Sequence, residues 1–349
     1  MIEEITGAKR ALLTSSGTAA LEMACLLSEL APGDEVIVPS FTFSSCANAI
    51  ALRGAVPVFV DIRPDTLNID ETAIEAAVTP KTRAIMPVHY AGVAADMDAI
   101  NEIANRHGLI VIEDAAQGVG ARYRDRPLGT LGTFGAFSFH GTKNIGCGEG
   151  GALLVNNENF VERAEILWEK GTNRTRFLRG EVDKYTWVDI GSSFLASDIS
   201  AALLACQLAE VDAITARRRA VWDRYHAGLA GLEREGLLRR PVVPQDCASN
   251  GHIYGLILPG SKARDAALAA LRAHGVQATF HYVPLHSASA GRKFGRTARE
   301  LPVTDEYSAR LLRLPIHADL SVQDQDYVIT TLETILRETQ RKHPHFAKT

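Results

Sequence analysis

From its start to about residue 155 the chain alternates short apolar runs with helical stretches. "EVIVPS" (35–40), "VPVFVDI" (56–62), "RAIMPVHY" (83–90), "GLIVIED" (108–114), "GAFSFH" (135–140) and "GGALLVNN" (150–157) have the length and composition of buried strands. Between several of them lie helix patterns such as "DMDAINEIANRHG" (96–108), whose closing glycine suits a C-cap. Strands alternating with helices predict an α/β layer around a mostly parallel sheet. Residues 195–236 then read as long helix, with apolar positions at Ala201, Ala205, Leu208 and Val211, leading out of the first domain. Beyond it, "HIYGLIL", "KARDAALAALRAHG", "QATFHY" and a closing helix near 322–339 carry fresh strand and helix signals. The expected division is a large α/β domain over 1–212 and a small α+β domain over 213–349, which suits a chain of 349 residues.

Bulk properties narrow the function. No apolar run approaches the eighteen or more residues of a membrane span, so a soluble protein is expected. A formal net charge of −4 without long basic runs argues against nucleic acid as a partner. Arg217, Arg218 and Arg219 fall in a helical pattern and read as a solvated face. Five scattered cysteines, with no C-x-x-C pair and no signal peptide, argue against disulfides and a zinc site and point to the cytoplasm. Cys147 reads as a small residue filling a glycine-rich turn.

In open α/β sheets the ligand crevice lies outside the carboxyl ends of the strands, so the residues just after each apolar run are the ones to read. "SFHGTKNIGCGEGG" (138–151) holds Lys143 close to the core as the chain leaves a strand for a turn. "TSSGTAALEMACLLSEL" (14–30) opens a helix with Ser15, Ser16, Gly17 and Thr18, either a phosphate cup or an ordinary N-cap. "LIVIEDAAQG" (109–118) ends its run with Glu113-Asp114, where a carboxylate can cap a helix or meet a cationic ring nitrogen. "PSFTFSSCAN" (39–48) places Phe41 and Phe43 where a ring can stack on a flat cofactor or pack in the core. Together they describe a cofactor with a phosphate, a heteroaromatic nitrogen and an aldehyde that a lysine can capture, which is pyridoxal 5′-phosphate. The lysine must be unprotonated to attack, so burial or nearby cations have to favour its neutral form.

The combination "SSGTAALEMA", "PSFTFSSCAN", "VFVDIRPDTLNID", "PVHYAG", "EDAAQG", "FSFHGTKNIGCGEGG" and "HYVPLH" resembles the DegT/StrS-type aminotransferases. These are fold-type I pyridoxal-phosphate enzymes, aspartate aminotransferase-like, that act on nucleotide-linked keto sugars. The segments 169–193 and 285–295 are most similar to the dTDP-4-amino-4,6-dideoxygalactose transaminases (WecE type). The resemblance implies that Lys143 captures the cofactor and shuttles protons, Asp114 pairs with the pyridinium nitrogen, Gln117 lies near the ring hydroxyl and Phe43 stacks on the ring. It also implies phosphate contacts from Gly17, Thr18 and Ser138, and a homodimer whose second subunit completes each site. Ser193 stands where the family usually places an asparagine for the phosphate. His281, Tyr282 and His286 would face the sugar nucleotide or the donor carboxylate, or else pack between domains. No metal is implied. L-glutamate would leave as 2-oxoglutarate, and the amino group would pass to C4 of dTDP-4-dehydro-6-deoxyglucose. The competing readings are a C3-specific or other keto-sugar nucleotide aminotransferase, a dehydratase, which would have histidine in place of Lys143, a Rossmann dehydrogenase, which would need a G-x-G-x-x-G, and a non-catalytic homologue. Family members usually have a few dozen residues before "GAKRALLTSSGTAAL", where this sequence has only "MIEEIT"; an open wall at the substrate site is expected from that difference.

Overall fold

Each apolar run of the first 155 residues becomes a short strand, and the computed structural model, which describes residues 1–342, joins them into one eight-stranded sheet. Its order is Arg10–Thr14, Gly151–Val155, Phe134–Ser138, Ile110–Asp114, Thr82–Ile85, Glu35–Pro39, Val56–Val60 and Arg296–Thr297. Only Gly151–Val155 runs antiparallel to its neighbours, so Thr14, Pro39, Asp114 and Ser138 end at the same edge. Successive side chains on a strand point to opposite faces. Accordingly Val36 and Val38 pack under the helices Gly17–Leu27 and Ser44–Ala51, while Ile37 packs with Met97, Ile100 and Ile103 of helix Met97–His107. That last helix starts where Asp96 Oδ1 accepts from Ala99 N–H at 3.1 Å, and it ends at Gly108, whose φ of 64° is the left-handed C-cap expected from the sequence.

The stretch expected as one long helix is three: Asp198–Ala209, Val211–Gly228 and Ala230–Arg234, with a bend of 65° around Glu210. The break has a packing cause. Leu204, Leu208, Val211 and Ile214 belong to the core beneath the large sheet, whereas Val221, Trp222, Tyr225 and Leu232 belong to a second core, and one straight helix does not serve both. This second core also holds the antiparallel pair Tyr254–Ile257 and Leu311–Leu314 and the helices Ser261–Ala273 and Val322–Lys342. "QATFHY" forms no continuous strand and is bridged to the pair through Thr279 and Arg313. The two-residue strand Arg296–Thr297 comes back to the edge of the large sheet, where Arg296 forms a two-pronged ion pair with Glu35 at 2.8 and 2.9 Å.

Arg218 departs from the expected solvated face. It is 7% exposed and has no carboxylate partner among the described residues; its guanidinium instead donates to the carbonyls of Gly251, His252 and Ile316. It ties the helix Val211–Gly228 to a loop beside the functional edge of the sheet. Among the described residues no single helix is long and apolar enough to cross a membrane.

Candidate active site

Lys143 sits in the loop that links Phe134–Ser138 to Gly151–Val155. Four backbone hydrogen bonds close this loop: Phe139 N–H to Gly150 O, Cys147 N–H to Phe139 O, Gly141 N–H to Gly148 O, and Lys143 N–H to His140 O. The loop places the lysine at the carboxyl edge, half-buried. Burial holds its ammonium pKa below the ordinary lysine value; the charge of Asp114 opposes this, and that of Arg313 adds to it. The net shift is downward, which makes the free amine easier to reach than for an exposed lysine.

Of the two acids that end Ile110–Asp114, the structure separates the roles. Glu113 points into the sheet, accepting from His89 Nε2 at 2.8 Å and from the backbone N–H groups of Gly129, Leu131 and Gly132. Ala95 N–H donates to His89 Nδ1, so the imidazole proton lies on Nε2. Asp114 turns toward Lys143. It is 5% exposed, with Oδ1 accepting from Ala116 N–H at 3.0 Å and Oδ2 from the Cys46 thiol at 2.9 Å. Each carboxylate oxygen has two acceptor sites, so the buried anion keeps capacity for one more donor at each oxygen.

Gly17 opens its helix against the end of Phe134–Ser138. A Cβ on Gly17 would lie 2.9 Å from Ser138 Cβ, and a Cβ on Gly151 would lie 2.3 Å from the Ser16 carbonyl carbon and 2.4 Å from Gly17 N. Glycine at both positions lets the helix N-terminus press onto the sheet edge, the arrangement that offers free N–H groups to a phosphate. Ser16 Oγ caps the helix through Ala19 N–H, so the cap and the cup coexist. The Thr18 hydroxyl lies 2.7 Å from the Ser45 hydroxyl, and Ser138 Oγ faces the same corner with only a long 3.5 Å contact from His140 N–H. Ser193 is exposed, bridged through its backbone to Glu169 on the segment whose next residue, Phe194, accepts from Ser15 N–H.

The two phenylalanines also part. Phe41 is core, 1% exposed and edge-on to Tyr90 and Tyr282, while Phe43 is 59% exposed with its ring 6.5 Å from that of Tyr282. Gln117 is oriented by Ala91 N–H on its Oε1 and donates from Nε2 to the Tyr282 hydroxyl at 3.1 Å. His281 stacks on Tyr282 at 4.1 Å and takes a hydrogen bond from Arg313 at Nε2. Burial and the Arg313 and Lys143 charges push its pKa down to about 3, so the ring is neutral. His286 is drawn away, bonded through Nδ1 to Ser40 Oγ at 2.7 Å and facing Asp305 at 3.4 Å.

Arg313, Ser45 and Cys46 were not singled out from the sequence. Arg313 had a visible signal, a cation inside the apolar strand "LLRL". Its Nε is buried with no hydrogen-bond partner among the described residues, and it faces the phenols Tyr90 and Tyr282 rather than an acid.

These residues fit pyridoxal 5′-phosphate: a lysine with a lowered pKa, a buried carboxylate with a free acceptor site, a helix N-terminus that only glycine allows so close, and one exposed aromatic face. Compared with known families, the sequence matches the DegT/DnrJ/EryC1/StrS aminotransferase family over residues 1–333. The chain belongs to that family. The aminotransferase is similar to solved members: one from Brucella abortus (33% identity over 95% of this chain and 87% of that one, TM-score 0.87) and DesV of S. venezuelae (35%, 96% and 86%, 0.86). A third is the putative sugar aminotransferase Spr1654 of Streptococcus pneumoniae in its PMP form (27%, 97% and 90%, TM-score 0.89). The fold is fold-type I and the cofactor is pyridoxal 5′-phosphate.

Proposed function

We propose that the enzyme transfers the amino group of L-glutamate to the C4 keto group of dTDP-4-dehydro-6-deoxyglucose, giving dTDP-4-amino-4,6-dideoxygalactose. The observation that carries aminotransfer is the pairing of a half-buried Lys143, its ammonium form disfavoured, with the buried Asp114 across the carboxyl edge of one sheet. The choice of sugar rests on the segments 169–193 and 285–295. The second of these begins at the site, where Leu285 N–H donates to Ser40 O at 3.0 Å.

When bound, pyridoxal 5′-phosphate supplies an electron sink and carries the amino group between the two half-reactions. In this reading Gly17, Thr18, Ser45 and Ser138 hold the phosphate, Asp114 receives the ring N–H, Gln117 faces the ring hydroxyl and Phe43 covers the ring. Lys143 Nζ takes the proton from the donor's α-carbon and returns one to C4 of the sugar. His281, neutral at working pH, is an acceptor for Arg313 rather than a second base. Arg313 is a buried cation that faces phenols rather than an acid, with its Nε unpartnered among the described residues, and an incoming anion would give it the missing partner. We assign Arg313 to the carboxylate of glutamate. Tyr90 and Tyr282 have their pKa values raised by burial and remain hydroxyl donors.

The reading includes a cytoplasmic homodimer with shared sites, Ser193 facing the partner's phosphate. The support for the dimer is that Trp187, Val188, Ile190, Ile199 and Leu203, large apolar residues close to Ser193 in sequence, are all exposed.

The test is the visible spectrum of the purified holoenzyme, followed by NMR of the product. The cofactor band should bleach with L-glutamate and return with the keto sugar nucleotide, and nitrogen should appear at C4. Nitrogen at C3 would refute the regiochemistry; a band unmoved by glutamate would refute transamination with this donor.

A further inference from the structure

The floor of the site is held by an unusual donor. Asp114 Oδ1 is bonded by the rigid backbone N–H of Ala116 at 3.0 Å, but the only donor to Oδ2 among the described residues is the thiol of Cys46 at 2.9 Å. Cys46 is fully buried on the helix Ser44–Ala51, and the hydroxyl of Thr42 lies 3.2 Å from its sulfur. A thiol has one proton. If Cys46 gives it to Asp114, Thr42 must donate to the sulfur, and the three side chains form a directed relay from Thr42 to Cys46 to Asp114. Burial and the neighbouring Asp114 charge both push the thiol pKa upward, which keeps that proton on sulfur.

The torsion that turns a carboxylate about its own axis is soft, with broad minima. A carboxylate held through one oxygen can swing; held through both, it cannot. The S–H group is a weak donor, so it fixes the second oxygen while drawing little charge from it. A carboxylate that must keep a ring nitrogen protonated needs both direction and basicity.

We propose that Cys46 is a positioning residue for the cofactor, its thiol orienting the Asp114 carboxylate toward the ring nitrogen. The inference rests on the reading of Asp114 given above. The wild type, Cys46→Val, Cys46→Ala, Cys46→Ser and Asp114→Asn are stripped of cofactor, checked by thermal melting, and titrated with pyridoxal 5′-phosphate by visible absorbance. The pH midpoint of the bound cofactor's band is then measured for each. Cys46→Val fills the thiol's space without a donor and guards against a cavity effect in Cys46→Ala. Loss of one hydrogen bond to a charged group should weaken cofactor affinity about tenfold in both variants and move the pH midpoint. Cys46→Ser, which keeps a donor, should recover most of the affinity.

Wild-type affinity and midpoint in the Ala and Val variants, with Asp114→Asn impaired, would overturn the role of Cys46 alone. A Ser variant that melts like wild type yet binds as poorly as Ala would do the same, because the effect would then be packing. An unimpaired Asp114→Asn would overturn the reading of Asp114 and the inference with it.

Discussion

Gly151→Ala should damage cofactor binding from a position that would touch no cofactor. Gly151 is the first residue of its strand, paired with Ser138 on one side and Thr14 on the other. The methyl of alanine would lie 2.3 Å from the Ser16 carbonyl carbon and 2.4 Å from Gly17 N and Ser16 O. All three are backbone atoms, so no rotamer change relieves the clash. Restoring ordinary contact requires the start of helix Gly17–Leu27 to retreat by about 1 Å, and overpacking of a well-filled interior costs roughly 1–3 kcal/mol. The larger effect is on geometry, since a displacement of about 1 Å in a positioning element can cost on the order of a hundredfold in rate. The assay pairs thermal melting of the apoprotein with a cofactor titration and the glutamate half-reaction. Gly260→Ala is the control, because a Cβ there meets nothing within 4 Å. A Gly151→Ala protein that binds pyridoxal 5′-phosphate like the control, at an unchanged half-reaction rate, would refute the claim that this helix start is the phosphate cup.

Three further outcomes are expected. Lys143→Met should abolish turnover yet raise the melting temperature of the apoprotein at neutral pH, since burial disfavours the ammonium. The sign follows from the lowered pKa: the folded state is penalised below it, where the lysine is charged, so the gain should shrink as pH rises toward 10.5 in melts of the two apoproteins. Arg313→Gln should raise the KM for glutamate roughly 10- to 100-fold, the value of a hydrogen-bonded charge, while the KM for the keto sugar nucleotide changes far less; equal changes in both would remove Arg313 from the donor carboxylate. Arg218→Met should lower stability by roughly 2–3 kcal/mol in denaturant melts, because the carbonyls of Gly251, His252 and Ile316 lose their donor. A neutral result would mean that those carbonyls find other partners.

The six strands named from "EVIVPS" through "GGALLVNN" all form, with ends moved by up to five residues, and helix Met97–His107 ends at the expected glycine. Gln117 and Ser138 come from the family resemblance, whereas Lys143, Asp114, Gly17 and Thr18 are legible as residues at or just beyond the ends of apolar runs in a parallel sheet. Their signals are local: periodicity, composition and turn residues act over a few neighbours, and the rule for where a parallel sheet binds its ligand does the rest.

What the tertiary structure alone decided is which of two adjacent candidates faces inward and what each one touches. Glu113 and Asp114 are equivalent at a strand end, yet three N–H groups sixteen to nineteen residues further on claim Glu113. Phe41 goes to the core and Phe43 to the open face because Tyr90 and Tyr282, distant in sequence, pack on the first. Helicity over 195–236 was readable, but the break at Glu210 depends on two cores that the pattern of one helix does not reveal. Arg218 looks like any arginine until its carbonyl neighbours are brought in from other elements, Arg313 stands out in "LLRL" but its phenol neighbours do not, and Cys46 lies 68 residues from the carboxylate it holds. Local propensity operates along the chain, whereas the partner of a buried polar group is chosen by the packing of segments far apart in it. That is why the place of the site could be read in the sequence and the wiring of its floor could not.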